Sequence, residues 1–335
     1  MLIGDLGEEA LLKELRALFV ATDPDLSTGI GDDAAVINYP ADAQGVWTTD
    51  LLLEGIHFKK AWQSPYQLGR KSLTVNLSDI ASMGATPRFA LLSLACPPAT
   101  GLDYILEFCR GFAAMAAETG VVVIGGDTTA SADGITISVT LGGYIPKGDA
   151  ILRSGAKVGD AILVTGFLGS ATAGLRLLRD ARTGIYPELE KAFVDPEPRI
   201  AAGKAAVEAG ATAMTDISDG LASDLRHICE ESGVGAMIEP GLLPSSPDFD
   251  DAVSKYSWER ESMLLSGGED YELLFTLPGD IAQQVKALVA HQGGIAVTVI
   301  GEVMPLEYGI RLVDKAGCGR TMPEHGYEHF SGNIR

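Results

Sequence analysis

The apolar positions of this chain switch repeatedly between a helical period and a strand period, and the switches lay out an α/β protein. Leu11, Leu12, Leu15, Leu18 and Phe19 share one stripe of an amphipathic helix over residues 7–19. Strand-like runs follow at 34–38 and 45–53. Ser64, Pro65 and Gln67 supply an N-cap, a proline at the first helical position and the third-position partner of a capping box. The helix they open is expected to end near Gly84, and on it Asn76 and Asp79, three apart, share a face. A strand is expected at 87–94, then a helix at 102–119 closed by Gly120. The next strand, 121–124, is expected to end at a Gly125-Gly126-Asp127 turn. Ile135, Ile137, Val139 and Leu141 alternate as one face of a further strand.

Residues 144–160 form a loop-rich junction and set the expected domain boundary, 1–148 and 149–335. Beyond it, strands are expected at 161–165, 211–217, 271–276, 296–300 and 310–313, with helices at 170–178, 199–209 and 221–231. Both halves are α/β, but adjacent strands in the first favour two domains with mixed sheets over one parallel doubly wound sheet. No internal repeat or low-complexity segment breaks the pattern.

Six short acidic motifs are set against this apolar background: GDDAAVI, TTDLLLEGIHF, NLSDIASMGA, IGGDTTAS, TDISDGLASD and SGGEDYEL. Aspartates normally sit on wet surfaces. Asp33, Asp50, Asp79, Asp127, Asp216 and Asp219 instead stand at strand ends or in apolar helices, beside Gly, Ser or Thr. Gathered without cations they would repel one another and carry a heavy desolvation penalty. Hard divalent metals resolve that conflict, and Mg²⁺ in turn points to phosphates.

Composition narrows the function classes. A net charge of −20 on 335 residues disfavours nucleic acid, whose backbone is bound through Lys and Arg. It would also repel a nucleotide, unless metal ions bridge carboxylate and phosphate. No apolar run is long enough to span a bilayer, and Asp5, Glu8 and Glu9 stand where a signal peptide would carry positive charge. Cys96, Cys109, Cys229 and Cys318 form no CxxC pair and are expected as reduced core residues of a cytoplasmic protein.

Competing motifs fail on their own chemistry. GIGDDA at 29–34 matches a dinucleotide fingerprint in form, but its two aspartates would face the pyrophosphate. The Walker lysine, the protein-kinase catalytic loop, zinc-spaced His/Cys groups and a GxSxG elbow are all missing. The Gly125-Gly126-Asp127 segment could bring backbone N–H groups to a phosphate while its acid holds the metal. Asp219 or Ser218 could merely cap the following helix, which would explain one carboxylate there and not two. Asp79 could simply face solvent. Arg153 could clamp a phosphate, though a surface arginine is the simpler account from sequence alone. His57 suits a core histidine and a substrate contact equally, whereas His227 suits a structural role.

In this order, the motifs resemble the thiamine-monophosphate kinases of the aminoimidazole-ribonucleotide synthetase-like superfamily. The likeness runs from GIGDDAAVI through LRSGAKVGD to the terminal GYEHF, nearly the whole chain. It implies ATP-dependent phosphorylation of thiamine monophosphate to thiamine diphosphate. It implies several Mg²⁺ ions, with ligands at Asp33, Thr48, Thr49, Asp50, Asp79, Asp127, Asp216 and Asp219. Nucleotide contacts are implied at Gly126, Asp127, Arg153 and Ser218, and thiamine-substrate contacts at His57, Glu269 and Tyr327. It implies a homodimer built on the N-terminal sheet, and the alternating face at 135–141 is the expected place for it. No side-chain nucleophile is evident, so direct in-line attack by the substrate phosphate is expected. Two other functions compete with this one: a sister synthetase that phosphorylates a carbonyl or amide oxygen, and a non-catalytic scaffold for metal and nucleotide. Selenophosphate synthesis is disfavoured, because the first 95 residues hold no cysteine.

Overall fold

The computed structural model describes all residues except 20–21, 31–33, 324–325 and 327–335, and excepting the side chains of Glu8 and Glu9. The described residues divide into two compact units, 1–80 with 86–148, and 81–85 with those from 149 onward.

The first unit contains α1 (Ile3–Leu6), α2 (Glu8–Leu18), β1 (Leu26–Thr28), β2 (Val36–Ile37), β3 (Ala43–Leu53) and α3 (Pro65–Ser82). After these come β4 (Thr86–Cys96), α4 (Leu102–Thr119), β5 (Val122–Ala130) and β6 (Thr136–Pro146). The capping box forms as expected: Ser64 N–H donates to Gln67 Oε1 at 2.9 Å, and Gln67 N–H returns to Ser64 Oγ at 3.2 Å. Gly120 closes α4 in the left-handed conformation, at φ 70°. The main sheet runs β3-β6-β4-β5, antiparallel except for the parallel β4–β5 pair.

Two departures from the sequence expectations matter here. The strand expected to stop at Gly125 continues as β5 through Gly126 and Asp127 to Ala130. Glycine is needed there for close approach and not for a turn, since a Cβ on Gly126 would lie 1.8 Å from the Leu92 carbonyl oxygen. The face formed by Ile135, Ile137, Val139 and Leu141 is also fully buried within the unit. The open face is the opposite one, where Trp47 and Leu51 remain 47% and 51% exposed.

The second unit contains β7 (Asp160–Thr165), α5 (Ser170–Arg179), α6 (Pro187–Val194), α7 (Ile200–Glu208), β8 (Ala213–Ile217), α8 (Leu221–Ser232) and β9 (Gly235–Ile238). It continues with α9 (Pro247–Tyr256), α10 (Arg260–Ser266), β10 (Glu272–Pro278), α11 (Ala282–Gly293), β11 (Val297–Met304), β12 (Ile310–Val313) and β13 (Gly319–Thr321). Its seven-stranded mixed sheet has the order β13-β12-β9-β11-β7-β10-β8. Ile162, Val164, Ile217 and Leu274 belong to a core shared with Leu177, Leu225 and Phe249 of α5, α8 and α9. Leu163, Met214 and Phe275 belong to a second core with Ala205 of α7 and Val289 of α11. Antiparallel pairing of β10 with β7 and β8 gathers the loops at 166–169, 218–220 and 266–271 at one end of this sheet. Cys96, Cys109 and Cys229 are buried free thiols, whereas Cys318 is exposed, contrary to the expected core position.

Candidate active site

In the first unit, β3 and α3 bring a carboxylate pair together. Thr48, Asp50 and Leu52 alternate onto the side of β3 that pairs with buried Leu141, Val139 and Ile137. Asp79 lies on α3, and the Thr48 hydroxyl donates to Asp79 Oδ2 at 2.5 Å. Burial, and secondly the charge of Asp79, push the Asp50 carboxyl from 3.8 up to about 7. Asp50 Oδ2 is buried without a hydrogen-bond partner, as is Oδ1 of Asn76, one turn before Asp79. Thr49 points to the other face, its hydroxyl donating to the Val139 carbonyl at 3.0 Å and lying 3.1 Å from the Thr140 hydroxyl.

A hard divalent cation fits this pair. The donors are oxygens, Asp50 Oδ2 is buried and unpartnered, and a positive charge would relieve the repulsion. Among the described residues, however, no three His, Cys, Asp or Glu side chains converge as a metal centre. Asp33 lies outside the described residues.

Asp127 does not join the pair within one chain. Asp50 is paired with Val139, Val139 with Leu92, and Leu92 with Gly126, so one row of residues crosses the sheet from edge to edge. At about 4.8 Å between strands, Asp50 and Gly126 are about 14 Å apart. Two oxygens on one Mg²⁺ are only about 4 Å apart. Gly125, Gly126 and Asp127 line a cavity of about 710 Å³, together with Trp47, Leu91 and Ile37.

His57 follows β3. Its Nδ1 accepts the Leu53 N–H at 3.0 Å, which places the neutral ring's proton on Nε2. Neighbouring Glu54 accepts the Ile135 N–H at 2.9 Å and pairs with Lys60 at 3.2 Å.

In the second unit, Asp216, Ser218 and Asp219 lie at the end of β8 and in the loop beyond it, with Asp216 buried. Neither Ser218 nor Asp219 caps α8, as the sequence had suggested. Asp224, one turn into the helix, reaches back, and its Oδ2 accepts the N–H groups of Ser218, Asp219 and Gly220 at 3.1, 3.2 and 3.1 Å. Burial first, then the charge of Asp219, push the Asp224 carboxyl up to about 7, against the pull of the amides and Arg153. The signal missed in the sequence is an aspartate four residues after a loop glycine.

The Ser218 carbonyl accepts the Glu269 N–H at 2.8 Å, and the Ile217 carbonyl accepts the Tyr271 N–H at 2.9 Å. Glu269 and Tyr271 hold φ values of 68° and 50°, rare for residues with side chains. Arg153 lies in a loop bound to the end of α8: Ser232 Oγ donates to its carbonyl at 3.1 Å. Tyr327 lies outside the described residues. Its neighbour Gly326 lies so close that a Cβ there would be 2.0 Å from the Asp219 carbonyl oxygen. A separate cavity of about 430 Å³, lined by Asp270, Glu272 and Arg199, contains none of the candidate residues.

The chain is similar to known proteins over most of its length. Residues 31–145 match the family of AIR synthase related proteins, N-terminal domain, and residues 157–312 match its C-terminal domain. The thiamine-monophosphate kinase of Salmonella typhimurium is 38% identical over 316 residues, 92% of this chain and 93% of that protein. The crystal structure of thiamine-monophosphate kinase from Stenotrophomonas maltophilia superposes with a TM-score of 0.79 at 36% identity, covering 88% and 93% of the two chains. A structure described as AaThiL complexed with AMPPCP and TMP gives 0.76 at 31% identity, covering 98% and 99%. The chain belongs to the thiamine-monophosphate kinase family, within the proteins related to AIR synthase.

Proposed function

We propose that this protein transfers the γ-phosphoryl group of ATP to the phosphate of thiamine monophosphate, yielding thiamine diphosphate. Family membership sets the reaction class, and a relative bound to an ATP analogue and TMP shows that such a scaffold accommodates both ligands. The observation that carries the reading is the Asp50–Asp79 pair, whose buried and unpartnered oxygen is costly unless a cation arrives.

Bound Mg²⁺ would neutralise phosphate charge and draw the two phosphates together. Asp50 and Asp79, with the Thr48 hydroxyl, would hold one of several such ions from the first domain, 1–148. Asp33, Asp127, Asp216 and Asp219 would complete the set, and Thr49, whose hydroxyl is turned away, would contribute its backbone carbonyl. Gly126, Asp127, Arg153 and Ser218 would orient the nucleotide, with the Arg153 guanidinium bridging phosphate oxygens. His57 would present its Nε2–H to the acceptor, and Glu269 and Tyr327 would contact the thiamine moiety. The acceptor phosphate is already ionised near neutral pH, so no side chain need remove a proton from it. The protein's work is therefore alignment and exclusion of water.

The same reading calls for a homodimer. Asp50 and Asp127 stand on opposite edges of one sheet, and a second chain packed on the open face could bring its β5 edge to this chain's β3 edge. Exposed Trp47 and Leu51 on that face support such a contact. A cytoplasmic location suits three buried free thiols and the absence, among the described residues, of a helix long and apolar enough to cross a membrane. Release of ADP should be measured with thiamine monophosphate, thiamine and aminoimidazole precursors as competing acceptors. Turnover with thiamine monophosphate alone is expected. Turnover only with an aminoimidazole precursor would favour the sister synthetase, and none with any acceptor would favour the scaffold.

A further inference from the structure

Three consecutive backbone amides converging on one oxygen form the kind of nest that ordinarily cradles a phosphate or another anion. In the loop after β8 that nest is already full. Asp224 Oδ2 receives the N–H groups of Ser218, Asp219 and Gly220, from a side chain that is only 2% exposed. The loop is also braced from the other side, where the Ser218 carbonyl accepts the Glu269 amide. Gly220 adopts φ 114°, and a Cβ there would meet the Ser266 carbonyl carbon at 3.0 Å. With these amides engaged, the loop can offer a ligand its Ser218 hydroxyl and Asp219 carboxylate, but not its N–H groups.

We infer that Asp224 is a positioning residue: an internal acceptor that fills the amide nest and so sets the directions of the Ser218 and Asp219 side chains before nucleotide binds. The inference rests on the proposed roles of Ser218 at the nucleotide and of Asp219 at Mg²⁺. An ordinary helix cap would stabilise α8 equally well, but removing it would not change nucleotide affinity in the folded protein. Preorganisation would, because the cost of ordering the loop then falls on binding.

The test uses the full-length protein with Mg²⁺. Asp224→Ala should weaken AMPPCP binding about tenfold or more and raise the KM for ATP in step. The KM for thiamine monophosphate should stay within about threefold. Amide exchange at 218–220 should accelerate by at least about tenfold, while exchange in β7 and β10 is unchanged. Asp224→Asn, whose amide oxygen can still accept the three N–H groups, should restore wild-type exchange and affinity to within about threefold.

An alanine variant with unchanged AMPPCP affinity would overturn the inference. Should the alanine variant not fold, a folded asparagine variant that loses the nucleotide or exchanges fast at 218–220 would overturn it too. Ser218→Ala is the separate control. If it leaves AMPPCP binding intact while Asp224→Ala speeds exchange, the clamp stands and the nucleotide role of the loop falls.

Discussion

Asp50→Asn is the most revealing single change, because it should raise stability without metal and abolish function with it. Raising an aspartate from 3.8 to about 7 corresponds to a penalty of about 4 kcal/mol on its charged form. Solvent still reaches part of the side chain, so about 1–2 kcal/mol is the realistic gain from neutralising it. Asparagine keeps the shape, removes the repulsion with Asp79 and leaves the Thr48–Asp79 hydrogen bond in place. For a domain of this size, a gain of that order raises the melting temperature by about 2–6 °C. Metal reverses the order. Millimolar Mg²⁺ should stabilise the wild type by linkage, and the variant much less, since one of its charged donors is gone. The assay is a pair of thermal melts for each protein at pH 8, in EDTA and in MgCl₂, alongside ADP release. Wild type is expected to melt lower than the variant in EDTA and to gain more from Mg²⁺, with turnover lost in the variant. A variant that melts below wild type in EDTA, or shows an undiminished Mg²⁺ shift, would refute the reasoning.

Three other expectations follow from separate parts of the molecule. Asp127→Asn should be as inactive as Asp50→Asn, yet randomly mixed dimers of the two should recover about a quarter of wild-type turnover, because half the dimers then carry one intact site; no recovery on mixing denatured and refolded chains would argue for sites held within one chain. Arg199 donates to both oxygens of nearly buried Glu272, at 2.8 and 2.6 Å, so Arg199→Ala should cost about 3–5 kcal/mol in urea unfolding by stranding that charge, and a loss below about 1 kcal/mol would show the pair to be solvated. Burial, reinforced by Glu272 and Glu269, pushes the Asp270 carboxyl from 3.8 up to about 8; between those values the folded state keeps a proton the unfolded chain has released, so stability should fall as pH rises from 4 to 8, and Asp270→Asn, whose one amide oxygen can still accept the Gly169 N–H, should flatten that slope in pH-dependent melts.

What the sequence made legible was local. The capping box at Ser64 and Gln67 and the glycine that ends α4 are set by neighbours within a turn or two, and both appear where expected. Alternation along β6 correctly identified a buried face, but periodicity cannot say which layer buries it, and the open face proved to be the one carrying Trp47. The two glycines of β5 looked like a turn because glycine is a weak strand former; only the nearby Leu92 carbonyl explains why the second, Gly126, is needed. Helices α9, α10 and α11 went unrecognised in a stretch whose polar and apolar residues are closely mixed. Asp224 was passed over because its partners are backbone amides, which leave no mark in residue identity.

The same limit applies to the site as a whole. Each acidic motif was visible singly, since a carboxylate beside glycine in apolar surroundings is chemically conspicuous. Which carboxylates can share an ion depends on strand order, a non-local property. Sequence places Asp50 and Asp127 in motifs of equal standing, but the order β3-β6-β4-β5 puts them on opposite edges. If both serve one phosphoryl transfer, the second edge has to come from another chain. Association would then be part of the chemistry and not an addition to stability. Turnover per chain would fall as the dimer is diluted apart, even though each chain keeps every acid it needs.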